Sequence, residues 1–132
     1  MKYIILIVMI FLHIVDDFYL QGVLAKFKQK DWWKENYPQE IYKYDYIICL
    51  LIHSFSWTFV MMLPITIGLL FNLNYVDTDY FKYFLVMVLN IVVHSIIDHS
   101  KANLKRMNLT QDQLCHLVQI FGTWLATINL VR

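Results

Sequence analysis

Apolar residues dominate four stretches of the chain, at about residues 3–25, 46–73, 80–98 and 112–131, with polar residues concentrated in the connections between them. A helix needs about 20 residues to cross a hydrocarbon core about 30 Å thick, so each stretch predicts a membrane-spanning helix. The first opens with YIILIVMIFLHIV and is then interrupted by Asp16 and Asp17. The second is longer than a crossing requires and contains Pro64. It is expected to tilt, to kink near the proline, or to end early and continue along the interface. The first stretch, behind Lys2, also suits a signal peptide. However, DDFYLQG follows it with no small-x-small cleavage site, so it is read as a retained helix.

Composition agrees with this pattern. The 132 residues are 59% hydrophobic and only 16% charged, whereas soluble domains carry about a quarter charged residues. Three Gly and two Pro are too few for the turns of a small all-β fold. A disordered chain, a collagen-like repeat and an ordinary cytosolic domain are excluded. The expected fold is all-α: a single domain over residues 1–132, built as a four-transmembrane-helix bundle. Cys49 and Cys115 lie in apolar stretches without CxxC spacing and read as small packing residues.

Charge sets the orientation. Lys26, Lys28, Lys30, Lys34, Lys43, Lys101, Lys105 and Arg106 fall at one end of the predicted bundle, and Lys2, Lys82 and Arg132 at the other. The positive-inside rule puts the first group in the cytoplasm and both termini outside it. A bacterial inner (cytoplasmic) membrane is the expected location. The connection KFKQKDWWKENYPQEIYKYDY mixes lysine with aromatic rings. Such a mixture suits a nucleic-acid surface, but it suits a headgroup interface better. With a net charge of +1, no nucleic-acid partner is expected; membrane lipids are, and a homo-oligomer is compatible.

Ionisable residues inside apolar spans are costly and by default mark function. Here they recur at regular spacing. His13, Asp17 and Gln21 share one helical face at i, i+4 and i+8. His94 and Asp98 repeat the HxxxD pattern with Lys101 one turn on, Asp112 and His116 reverse it beside Gln113, and His53 comes from the second span. If the spans run up and down, the four histidines lie six to eight residues from the same end of the bundle, at a common depth of roughly 9–12 Å. Imidazole and carboxylate on facing helices are a ligand set for divalent metals, and zinc or manganese fits a set without thiolate. Bland roles exist for each group. His53 alone suits a hydrogen-bonded packing residue, Asp98 an ion pair with Lys101, and Asp112 a helix N-terminus. Gln21, Gln113 and Asn90 suit interhelical hydrogen bonds. Asp16 and His99 are expected to face away from the stripe, at the interface.

The ordered series His13-x3-Asp17-Phe18-x-Leu20-Gln21, His53, His94-x3-Asp98-x2-Lys101 and Asp112-Gln113-x2-His116 spans nearly the whole chain. It resembles the small bacterial and phage membrane-protein family catalogued as domain of unknown function 3307. The resemblance implies the same membrane fold and site and a bacterial or phage origin, but no substrate. That family places a polar, Lys-ending stretch soon after the Gln; VLAKFKQK fits it loosely and leaves Lys26 and Lys28 as alternatives.

The leading expectation is a metal-dependent hydrolase acting on a lipid or phosphate substrate near the cytoplasmic face. His13, Asp17, His94 and Asp98 are expected to hold the ion, with His116 and His53 as further ligands or acid/base groups. Asp112 is expected to orient His116 or a water, and Lys101 to meet an anionic substrate group. The same residues also suit a proton or metal-ion transporter or channel. A non-enzymatic membrane adaptor, such as a phage-encoded modulator held together by a polar network, is the third reading.

Overall fold

The computed structural model describes residues 2–77 and 79–128. Residues 129–131 of the fourth expected span, and Arg132 of the charge count, lie outside the described residues. The elements are α1 (Lys2–Val15), which continues as a π-helical turn over Asp16–Leu20, then α2 (Leu24–Phe27), α3 (Lys30–Asn36), a 3-10 turn (Glu40–Tyr42), α4 (Asp45–Met61), α5 (Leu63–Leu70), α6 (Tyr80–Ala102) and α7 (Leu109–Thr127). No strand occurs among the described residues; an isolated antiparallel bridge joins Val76 to Ile128.

The long helices pack as a ring: α1 on α4, α4 on α6, α6 on α7 and α7 back on α1. Local chemistry fixes where each begins and ends. Proline lacks an N–H and its ring excludes the carbonyl four residues back, so α4 stops at Met61 and α5 restarts at Leu63 with Pro64 in its first turn. Of the outcomes expected for this stretch, the helix is interrupted near Pro64. Asp79 caps α6 by accepting from the N–H groups of Phe81 and Lys82. Asn108 and Gln111 form a reciprocal capping box at the start of α7. Asp112 is therefore released from capping and turns inward. Gly22, at φ +51°, takes the left-handed turn that separates the π segment from α2.

Among the described residues, three helical segments are long and apolar enough to cross a membrane: Lys2–Leu20, Glu40–Met61 and Tyr80–Ala102. The expected fourth, α7, is 19 residues long but carries Gln111, Asp112, Gln113, His116 and Gln119, which lower its hydropathy. The first span also ends earlier than expected, at Leu20, because the chain turns at Gly22.

Polarity is distributed inside out. Ile7, Phe11, Phe55, Phe84, Leu89, Ile96 and Val118 are exposed, while His13, Asp16, Asp17, His53, His94, Asp98, Asp112 and His116 are buried. The interior divides along its length. One half is an apolar core that includes Met9, Met61, Met62, Ile65, Ile120 and Trp124, and the other half holds the ionisable groups. Trp57 sits at the boundary.

Candidate functional site

Four of the five histidines lie seven or eight residues from the helix end on the lysine-rich side: His13 before Leu20, His53 after Asp45, His94 before Ala102, His116 after Leu109. The up-and-down packing brings those four ends together. All four imidazoles are at most 1% exposed and form one cluster. Ring centroids are 5.4 Å apart for His13 and His116, 4.5 Å for His94 and His116, and 5.2 Å for His53 and His94. Trp57 stacks on His94 at 4.1 Å, closing the cluster toward the apolar half.

Asp98 is the hub. Its Oδ2 lies 3.2 Å from His53 Nε2 and 3.8 Å from His94 Nε2, and its Oδ1 lies 3.5 Å from His116 Nε2. Asp17 Oδ1 is 3.6 Å from His53 Nε2, and Asp112 Oδ1 is 3.4 Å from His116 Nε2. The side chains form three overlapping triads, Asp17–His53–His94, His94–Asp98–His116 and Asp17–Asp112–His116, each with one donor atom per residue within 4.8 Å of the others. Bonds of about 2.0–2.2 Å at tetrahedral angles put neighbouring ligand atoms roughly 3.3–3.6 Å apart, close to the 3.2–3.8 Å found around Asp98. These groups have the chemistry and separations to hold a divalent cation.

His13 stands apart from this set. Its Nδ1 accepts from Trp57 Nε1–H at 2.8 Å. The Gln113 amide donates to Asp17 Oδ2 at 3.1 Å and Asp112 Oδ2 at 3.2 Å, which leaves its oxygen to accept from His13 Nε2–H at 3.1 Å. With both ring nitrogens engaged, His13 belongs to none of the triads. His13 holds Gln113, which in turn holds two carboxylates.

Asp16 departs from its expected place in the opposite sense. It is fully buried, accepts from Ser56 Oγ at 3.1 Å, and turns Oδ2 to within 4.0 Å of His53 Nδ1. The π turn accounts for this. Its Gln21 N–H reaches back five residues to the Asp16 carbonyl at 3.0 Å, and the widened turn sends both neighbouring aspartates inward. An ideal α-helix would send only one. His99 faces neither the cluster nor open water; it stacks on Tyr46 and lies 3.2 Å from Asn103 Nδ2.

The structure separates Lys26 from Lys28. Lys28 Nζ donates to Asp98 Oδ2 at 2.6 Å, held there by Asn103, which accepts from Lys30 N–H at 2.7 Å and donates to the Lys28 carbonyl at 3.1 Å. Lys101, expected beside Asp98, instead donates to Asp112 Oδ2 at 2.5 Å. Gln21 donates to the Asp17 carbonyl within its own segment, and Asn90 accepts from Gln119 and Thr123 of α7, the interhelical role expected of it.

Counted with every carboxyl ionised and every imidazole neutral, four aspartates face two ammonium groups, a formal excess of two negative charges. Several buried atoms at the centre also lack a hydrogen-bond partner: Asp16 Oδ2, His53 Nδ1, His94 Nδ1, Asp112 Oδ1 and both nitrogens of His116. Burying unpaired charge and unsatisfied polar atoms is costly, and a divalent cation would offset both. A cleft of about 320 Å³, lined by Gln21, Lys28, Gln29, Asp98, Lys101 and Lys105, leads from the lysine-rich surface to Asp98.

Comparison with protein-family models, curated proteins and solved structures returned no match.

Proposed function

We propose that this chain is an integral membrane protein that holds a divalent metal, zinc or manganese, between its helices and uses it for hydrolysis near the cytoplasmic face. The observation that carries the reading is the convergence of His53, His94 and His116 Nε2 on the Asp98 carboxylate from three helices, 3.2–3.8 Å away. Asp17 and Asp112 complete the donor set, while Asp16, His13 and Gln113 position it. Carboxylate behind imidazole, as in Asp16 behind His53, is the usual arrangement for orienting a metal-bound histidine.

The outward-facing apolar side chains support membrane embedding, with α7 as a fourth span whose polar residues face the ring's interior. The lysine-rich end supports a cytoplasmic site in a bacterial inner membrane, and the motif order supports kinship with domain of unknown function 3307. A divalent ion supplies Lewis acidity and brings the pKa of its water toward neutrality. Access from one end favours an enzyme over a transporter. The cleft reaches Asp98 from the lysine side, whereas the fully buried Trp57, Met61, Met62, Ile65 and Ile120 lie on the far side.

The test is turnover by purified, metal-loaded protein in detergent against phospholipids and soluble phosphate esters. Hydrolysis should cease on chelation, return when metal is restored, and be absent from a folded His116→Gln variant. A folded, metal-loaded protein that hydrolyses none of these substrates overturns the enzymatic reading.

A further inference from the structure

Two ammonium groups close the open end of the polar cluster, and both also line the cleft. Lys28 Nζ is 2.6 Å from Asp98 Oδ2, and Lys101 Nζ is 2.5 Å from Asp112 Oδ2. Asp98 and Asp112 are members of the triads able to hold a cation. Lys28 therefore sits on an oxygen, Asp98 Oδ2, that a divalent ion would use, and Lys101 holds the second oxygen of the Asp112 carboxylate, whose Oδ1 faces His116. A dication and an ammonium on one carboxylate repel each other, and the side chain able to move is the lysine, a point charge on a flexible four-carbon stem. The adjoining space is the cleft that Lys28 and Lys101 already line, with Lys105 beside them.

We propose that Lys28 and Lys101 exchange partners when the metal binds: they leave Asp98 and Asp112, turn into the cleft and, with Lys105, hold a phosphate group beside the metal centre. The exchange presupposes the metal reading. Three separately mounted ammonium groups around a small opening suit a compact tetrahedral oxyanion, and lysine serves phosphate as a point charge. Without metal, Lys28 and Lys101 are neutralised by carboxylates and the cleft attracts anions weakly. With metal they are released. Metal and phosphate binding are therefore positively coupled, and linkage makes the coupling factor the same in both directions. The phosphate belongs either to a free ester or to a lipid headgroup; its chemistry at the cleft is the same.

The experiment titrates Mn²⁺ into the full-length protein in phosphatidylcholine nanodiscs, alone, with inorganic phosphate, and with phosphatidic acid in the disc. Phosphate, phosphatidic acid or both should tighten Mn²⁺ binding about tenfold. Which of them does so identifies a soluble or a lipid source. A folded Lys28→Met/Lys101→Met variant should bind Mn²⁺ at least as tightly as the parent, since the competing ammonium groups are gone, and should lose the coupling. The same variant corrects for metal drawn to a charged disc. Mn²⁺ binding by the parent that neither additive changes by more than twofold overturns the exchange alone. Weaker Mn²⁺ binding by the folded double variant also overturns it. A parent that binds no Mn²⁺ removes the metal reading and the exchange together.

Discussion

Asp16 Oδ2 and His53 Nδ1 stand 4.0 Å apart, and each lacks a hydrogen-bond partner. Closing that gap would fix the ring so that its Nε2 addresses the metal. Asp16→Asn should therefore weaken metal binding about 10–100-fold while the fold is retained, read by competition with a chelator of known affinity. Unchanged affinity would mean that Asp16 only satisfies Ser56. The two histidines of the α1–α7 contact should also behave differently. His116→Gln removes a ring with both nitrogens unsatisfied and should abolish stoichiometric metal, whereas His13→Gln should leave metal bound at reduced affinity. Equal loss in two folded variants would return His13 to the ligand set. At this scale the sequence disclosed the HxxxD spacing, because i and i+4 share a helical face wherever the helix is regular. It concealed the inward turn of Asp16, since a π turn has no residue signature comparable to a cap. It also suggested Lys101 as the ion-pair partner of Asp98, a place that Lys28 takes. Lys28 is selected by the left-handed turn at Gly22 and by the Asn103 clamp, neither of which periodicity reveals.

The elements that carry the site are set by a few punctuating residues. Pro64 divides the second apolar stretch, and its effect was readable because proline breaks a helix by covalent geometry alone. The close packing that follows was not readable. A Cβ on Gly68 would lie 2.3 Å from Val76 Cγ2 and 2.8 Å from the Tyr75 ring, so α5 requires the glycine for the returning chain to cross it. Gly68→Ala should cost about 1–3 kcal/mol through overpacking, measured as a lowered unfolding midpoint in detergent. A midpoint equal to that of the parent would show that the returning segment yields without cost. The start of α7 was legible only in part. Asp112 lies in the first turn of α7, as a helix N-terminus would have it, but the Asn108–Gln111 capping box supplies the cap.

Across the described residues, many large apolar side chains face outward while a cluster of histidines and aspartates lies inside. Composition foretold this, because 59% hydrophobic residues in so short a chain exceed what its interior can hold. The same composition overestimated α7, whose hydrophobic face is interrupted by the residues that complete the site. In a background with Cys49 and Cys115 replaced by alanine, Leu73→Cys should react with a membrane-impermeant thiol reagent in spheroplasts, and Asn36→Cys only after permeabilisation. The opposite pattern would reverse the orientation drawn from the lysines. The central claim is that the two excess negative charges among the buried helices are balanced by a metal. Elemental analysis of detergent-purified parent beside a folded Asp98→Asn variant tests it most directly. About one divalent metal per chain in the parent, and little in the variant, is the predicted result. A well-folded parent that carries no metal, even after reconstitution with Zn²⁺ or Mn²⁺, would contradict it.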